Sequence, residues 1–310
     1  MTQDPQRRAA LLGVKLGALV RDAAGEAPVV FGSFGGGAAL VRDGAAWVLA
    51  DEQPVRALGA TLAWARQHGA DAANVITDDL GAAIGMPDAG PVPRVEPPAV
   101  DERLLPLAAL IEAAGAVPTV EHGVLVGEVA GLEVCRAAID GDTGAPRLEV
   151  GVGAHDREAF QIVHGNIPPA EALAAVVTGV AAHRRPGAEP HPLNRLAAER
   201  LLRHRLVTDP SLIGAVALEP VAPPVRRDNL KDPVPCVAAG VGLDGEPLVV
   251  VCSVGVDLDL VPFAADARAA TGPPDAALLL AMPERDALPV TRALADALEA
   301  PATVVPVPPR

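Results

Sequence analysis

An α/β or α+β protein with mixed sheets is the fold class this sequence predicts, and three observations carry it. Short apolar runs alternate with helix-length amphipathic stretches along most of the chain. The Asp-Gly pairs at 43–44 and 244–245 each lie between two such runs, which is the strongest short-range signal of a hairpin. The spacing from Asp43 to the next strand at Asn74 nearly equals that from Asp244 to Ala277. Two similar ββαβαβ units are therefore expected, flanking a central β-hairpin plus helices.

The first unit spans 1–100 and opens with an amphipathic helix over 1–26. Basic residues inside its apolar run argue against a secretory signal. Strands at 37–42 and 45–50 follow, then a helix over 55–68 that Pro54 opens, with Leu58, Leu62 and Ala65 at helical spacing. A strand at 74–77, a second helix from Asp78 and an extended piece at 92–95 complete the unit. The central region, 101–217, reads as a helix over 101–114, strands at 120–126, 132–139 and 147–152, and helices over 170–183 and 193–206. Five prolines (Pro220, Pro223, Pro224, Pro233 and Pro235) mark 218–235 as a linker. The last unit, 236–310, reads as strands at 236–241 and 248–253, a helix over 263–270, a strand at 277–281, a helix over 288–298 and a strand at 303–307.

Composition excludes more than it identifies. Half of the residues are hydrophobic but only 2% are aromatic, so the core must be built from Ala, Val and Leu. Lys15 and Lys231 are the only lysines, and arginine carries the rest of the positive charge, a composition that a GC-rich genome encodes. The net charge of −14 disfavours broad binding to nucleic-acid backbones. Cys135, Cys236 and Cys252 are odd in number and widely spaced, which fits a reducing cytoplasm better than a disulfide framework. No apolar run reaches membrane-spanning length without Gly, Pro or charge, so no membrane partner is expected.

The densest chemistry lies at 148–166, where an alternating strand runs into His155-Asp156-Arg157-Glu158, with His164 beyond. If Ile139 faces Pro146 across the central hairpin, Arg136 lies opposite Glu149, and Glu133 points to the other face. Glu149, His155, Asp156 and Glu158 are the candidate catalytic residues, and Arg136, Arg157 and His164 are candidate ligand contacts. A divalent metal is the cofactor such a set would take, although no metal motif supports it. The competing account is a cross-strand ion pair followed by an acidic helix start.

The hairpin–helix–strand order, with an acid near the turn and Glu149 on the next strand, resembles restriction-endonuclease-like folds over about a third of the chain. That resemblance implies metal-assisted nuclease chemistry in a degenerate form. The family's lysine two residues after the glutamate is here Gly151, and the corresponding strand of the last unit, Val249-Val250-Val251-Cys252, has no carboxylate.

Two further clusters stand apart. Asp257 and Asp259 alternate with apolar residues and could face one cation, or Asp259 could cap the helix near Pro262. Arg184, Arg185, Arg195, Arg200 and Arg203 form a basic run that would bind an acidic partner or nucleic acid, or else pair with the chain's own surplus carboxylates. Gly32–Gly37 lacks the Gly-Lys-Ser/Thr ending of a phosphate loop and reads as a flexible strand entry. Neither Ser33 nor Ser253 sits in a nucleophile elbow, and no two histidines have zinc-protease spacing. The leading expectation is a non-catalytic binding or assembly protein, as a homodimer or with a protein partner. The alternatives are a metal-assisted hydrolase at the central cluster and acidic-partner or nucleic-acid binding at the arginine face.

Overall fold

In the computed structural model the described residues are 5–20, 30–34, 37–50, 58–76, 83–85, 98–153, 156–158, 167–189, 191–225, 234–273 and 275–309. The chain divides into two compact units. One contains Met1–Val92, Asp257–Phe263 and Pro289–Leu298; the other contains Pro93–Val256, Ala264–Leu288 and Glu299–Arg310. The fold is α/β to α+β, and the described residues form three sheets, two of them mixed and one antiparallel.

In the first unit, α1 (Pro5–Leu19) precedes β1 (Val30–Phe34), β2 (Gly37–Arg42) and β3 (Ala45–Ala50). These strands form an antiparallel meander, and the β2–β3 turn places Asp43 and Gly44 at φ 51° and 75°, as an Asp-Gly hairpin requires. α2 (Leu58–Gln67) then crosses over to β4 (Ala72–Ile76), parallel to β3, and β5 (Ala83–Gly85) returns antiparallel. Leu12, Leu16 and Val20 of the α1 region pack on Ala38, Leu40 and Leu49. On the opposite sheet face, the small side chains Ala46, Ala65 and Ala73 let α2 lie close to β3 and β4. The expected flexible glycine entry is in part strand β1, and Trp64 occupies the space a Cβ on Gly32 would need, at 2.6 Å. The second helix expected from Asp78 and the extended piece at 92–95 lie outside the described residues.

The second unit holds a four-stranded meander, order β6-β7-β8-β9, made of β6 (Val117–Glu121), β7 (Val124–Val129), β8 (Leu132–Ile139) and β9 (Pro146–Val150). α3 (Leu107–Ala113) and α4 (Pro169–Arg184) cover one face, with Ile111, Leu173 and Val177 against Leu125, Val134, Leu148 and Val150. The single strand expected at 120–126 is instead a hairpin. His122 (φ 49°) and Gly123 (φ 75°) turn the chain between β6 and β7.

α5 (Ala198–Thr208) begins later than the helix expected from 193, because Ala197 adopts left-handed backbone (φ 47°) after a short 3-10 turn at Pro192–Arg195. It packs Leu202 and Leu206 on the third sheet, order β10-β11-β12-β13-β14. That sheet comprises β10 (Ala215–Val221), β11 (Cys236–Gly242), β12 (Pro247–Cys252), β13 (Ala277–Pro283) and β14 (Thr303–Val307), with α6 (Leu260–Thr271) and α7 (Pro289–Asp296) between the last three strands in sequence. The first residues of the expected 218–235 linker are thus strand. β10 is an edge, where Pro220 removes no interior ladder bond.

The order ββαβαβ is found over 236–307, with β12, β13 and β14 parallel. The first segment shares hairpin, helix and parallel strand, but its next described strand, β5, is antiparallel to β4.

Candidate functional site

Register places the charged residues of the meander on one face. β8 and β9 pair with Ile139 opposite Pro146 and Arg136 opposite Glu149. Val126 pairs with Arg136, Glu128 with Glu133, and Val124 with Glu121. Because side chains alternate along a strand, Glu121, Glu128, Glu133, Arg136, Arg147 and Glu149 all lie on the face away from α3 and α4. Simple alternation expects Glu133 on the opposite side from Arg136, three residues away. A bulge corrects this: Val134 is an extra residue opposite the Gly127–Glu128 step, and it resets the alternation.

At one end of this face Glu133 is the centre. Its buried carboxylate accepts hydrogen bonds from Arg136 Nε and Nη2 at 3.0 and 3.2 Å and from Arg157 Nη1 at 2.8 Å. Arg157 Nε also lies 3.8 Å from Glu149, and Glu149 accepts from Arg147 Nη2 at 2.9 Å. Arg147 in turn meets Asp140 at 3.0 Å. Hydrogen bonds from the backbone N–H and the hydroxyl of Thr143 hold the Asp140 carboxyl below its usual range, with Asp142 N–H and Arg147 adding to them. Gly151 (φ 139°) is required where β9 leaves the sheet: a Cβ there would lie 2.8 Å from Arg157 N. Asp156 accepts the Val152 N–H at 2.7 Å, so its carboxylate fixes this turn. Glu158 is exposed. His155 and His164 lie outside the described residues.

At the other end, α5 lies over the face. Arg200 bonds Glu128 and, at 2.6 Å, Glu121, while Arg203 stands 3.5 Å from Glu128 and donates to Val237 O. All four groups are buried or nearly so. Burial disfavours the Arg200 charge, but Glu128 and Glu121 outweigh it and hold its pKa above the ordinary range. These contacts relieve the repulsion expected between Glu128 and Glu133, which sit directly opposite each other: each carboxylate has its own arginines.

The expected basic surface therefore turns largely inward. Arg184 is 1% exposed, and its guanidinium donates to Ala130 O (3.2 and 3.0 Å), Leu193 O (2.7 Å), Leu196 O (3.0 Å) and Ala197 O (3.4 Å). It thereby fastens the β7–β8 turn and the start of α5 to the end of α4. Gly131 makes that approach feasible, since a Cβ on it would stand 2.3 Å from Arg200 O. Arg185 and Arg195 remain exposed. The five arginines thus do not form one solvent-facing patch, because a helix packed between two sheets has no free basic side.

The Asp257 and Asp259 pair does not converge on one point. Asp257 accepts the Asp259 N–H at 2.9 Å. Asp259 accepts Gly59 N–H at 2.7 Å, so it caps the start of α2. Among the described residues no group of three or more His, Cys, Asp or Glu side chains is placed to hold a metal ion. Sequence reasoning puts Glu133 on the wrong face and misses Glu128, Glu121 and Arg147. Only the alternation of Arg147 with Glu149 was a usable signal, since the bulge and the packing of α5 are tertiary features. No known protein-family model, curated protein or solved structure matches this chain.

Proposed function

We propose that this chain is a non-catalytic assembly protein that joins a second copy of itself through open sheet edges. One observation carries this reading: the first strand of each sheet is an edge that exposes large apolar side chains. They are Val30 and Phe31 on β1, Val117 and Val120 on β6, and Val216 on β10, with Phe31 62% and Val216 63% exposed. An open edge offers unpaired N–H and C=O groups as a template for another strand, and proteins that stay apart protect such edges with charge, bulges or cover. β1 has no charged residue in Val30–Phe34, and β6 has one, Glu121, which is already engaged by Arg200. β10, by contrast, is blunted by a bulge at Val216 and by Glu219 and Pro220, so β1 and β6 are the edges this reading rests on. Of the side chains that suggest an enzyme, Glu149 is engaged by Arg147 and Arg157 on the meander face, and Asp156 is engaged by the Val152 N–H.

The test is the solution mass of the full chain by light scattering, beside the single variants Phe31→Lys, Val120→Lys and Val216→Lys. A mass above the 31.5 kDa monomer, returned to monomer by at least one edge substitution, is the expected result. A monomer at every concentration, or an oligomer indifferent to all three substitutions, overturns the proposal.

A further inference from the structure

Of the three cysteines in the chain, two meet. Cys236 is the first residue of β11 and Cys252 the last of β12, and the two are paired directly across the hairpin. They close the end opposite the Asp244-Gly245 turn. Residues directly opposite in an antiparallel pair share one sheet face, with Cα atoms about 4.5–5.5 Å apart. A disulfide spans roughly 4.4–6.8 Å between Cα atoms. Both thiols are buried in the same apolar cluster, beneath Leu202 and Leu206 of α5. Cys135 lies on a different sheet, where its sulfur is packed near Gly127 and Ile111.

We propose that Cys236 and Cys252 are a redox pair that closes to a cross-strand disulfide, stapling the open end of the β11–β12 hairpin. Cys236 reacts first. It is the less enclosed of the two, whereas the Cys252 thiol is held protonated by burial and by the neighbouring Cys236, against the opposing charge of Arg203. With a hydroperoxide as oxidant, the Cys236 thiolate attacks the O–O bond, forms a sulfenic acid and releases water or an alcohol. The Cys252 sulfur then attacks the sulfenic sulfur, forms the S–S bond and releases water. Two thiols lose two electrons and two protons, and the peroxide is reduced by the same two electrons. Closure needs no strand to shift register, so the folded sheet accommodates both states.

The test is peptide mapping of the full chain after exposure to hydrogen peroxide and, separately, after refolding from denaturant in a glutathione redox buffer. Refolding removes burial of the thiols as a barrier to reaction. The expected product has lost two hydrogen atoms, carries a Cys236–Cys252 linked peptide, leaves Cys135 open to alkylation and reverts with dithiothreitol. In Cys252→Ala the linkage is lost and Cys236 carries a glutathione or oxygen adduct instead. Three alkylatable thiols after refolding in that buffer, or a linkage that includes Cys135, overturns the proposal.

Discussion

The two ends of the meander's charged face use the same side chains in different settings. At the Glu133 end the outer side chains Arg136 and Glu149 stay partly in water, 37% and 28% exposed, around a buried Glu133–Arg157 pair. At the Glu128 end, α5 seals Arg200 and Arg203 against the sheet. A half-solvated ion pair gains little, since water screens it and ordering long side chains costs entropy. A sealed pair need not gain much when formed, but losing one partner leaves a buried charge without compensation. Identical chemistry therefore carries different consequences, and burial decides which residues the fold cannot lose.

The largest effect should come from the sealed end. Arg200→Ala leaves Glu128 and Glu121 without their main partner and should lower stability by about 3–5 kcal/mol. Urea unfolding checks this, and Arg200→Met should not rescue it because the carboxylates remain. A loss below that of an ordinary surface substitution would break the contrast between the two ends.

A pH effect of intermediate size should arise at Cys135, behind the Glu133 end. Burial pushes its thiol up to about 11, with Glu133 adding to the rise and Gly127 N–H and Arg157 opposing it. A folded pKa above the unfolded value of about 8.5 favours the fold fully below that value. The contribution is then lost as pH rises through the folded pKa. Unfolding midpoints should therefore fall between about pH 8.5 and 11 in the wild type, and less steeply in Cys135→Ala. Parallel slopes would exclude this thiol as a source of the alkaline loss.

The smallest effect belongs to Arg147→Ala, which removes half-exposed pairs with Asp140 and Glu149. It should cost about 1 kcal/mol or less, and high salt should shrink the difference from wild type in thermal unfolding. A salt-independent loss would mean that this end is sealed as well.

How much of this was legible varies residue by residue. The Asp-Gly turns and the pairing of Arg136 with Glu149 follow from local chemistry and strand alternation, and the structure has both. The His122-Gly123 turn was hidden because a histidine in left-handed backbone is no common turn signal, so two strands read as one. Glu133 was misplaced because a bulge is set by how neighbouring strands pair, not by composition. The basic helix looked like a surface because leucines and arginines alternate around it, although Arg200 and Arg203 point inward toward carboxylates distant in sequence. Cys236 and Cys252, sixteen positions apart, became a pair only once the hairpin register was known.

On the proposed reading, the charged cluster serves the fold rather than a reaction. Groups held for function tend to cost stability, so their removal is often neutral or stabilising. The most direct test is the urea midpoint of Glu133→Gln, which keeps the shape but removes the charge that Arg136 and Arg157 share. A lowered midpoint, corresponding to a loss of about 1–3 kcal/mol, is the predicted result. An unchanged or raised midpoint would contradict the account and return the cluster to candidacy as a working site.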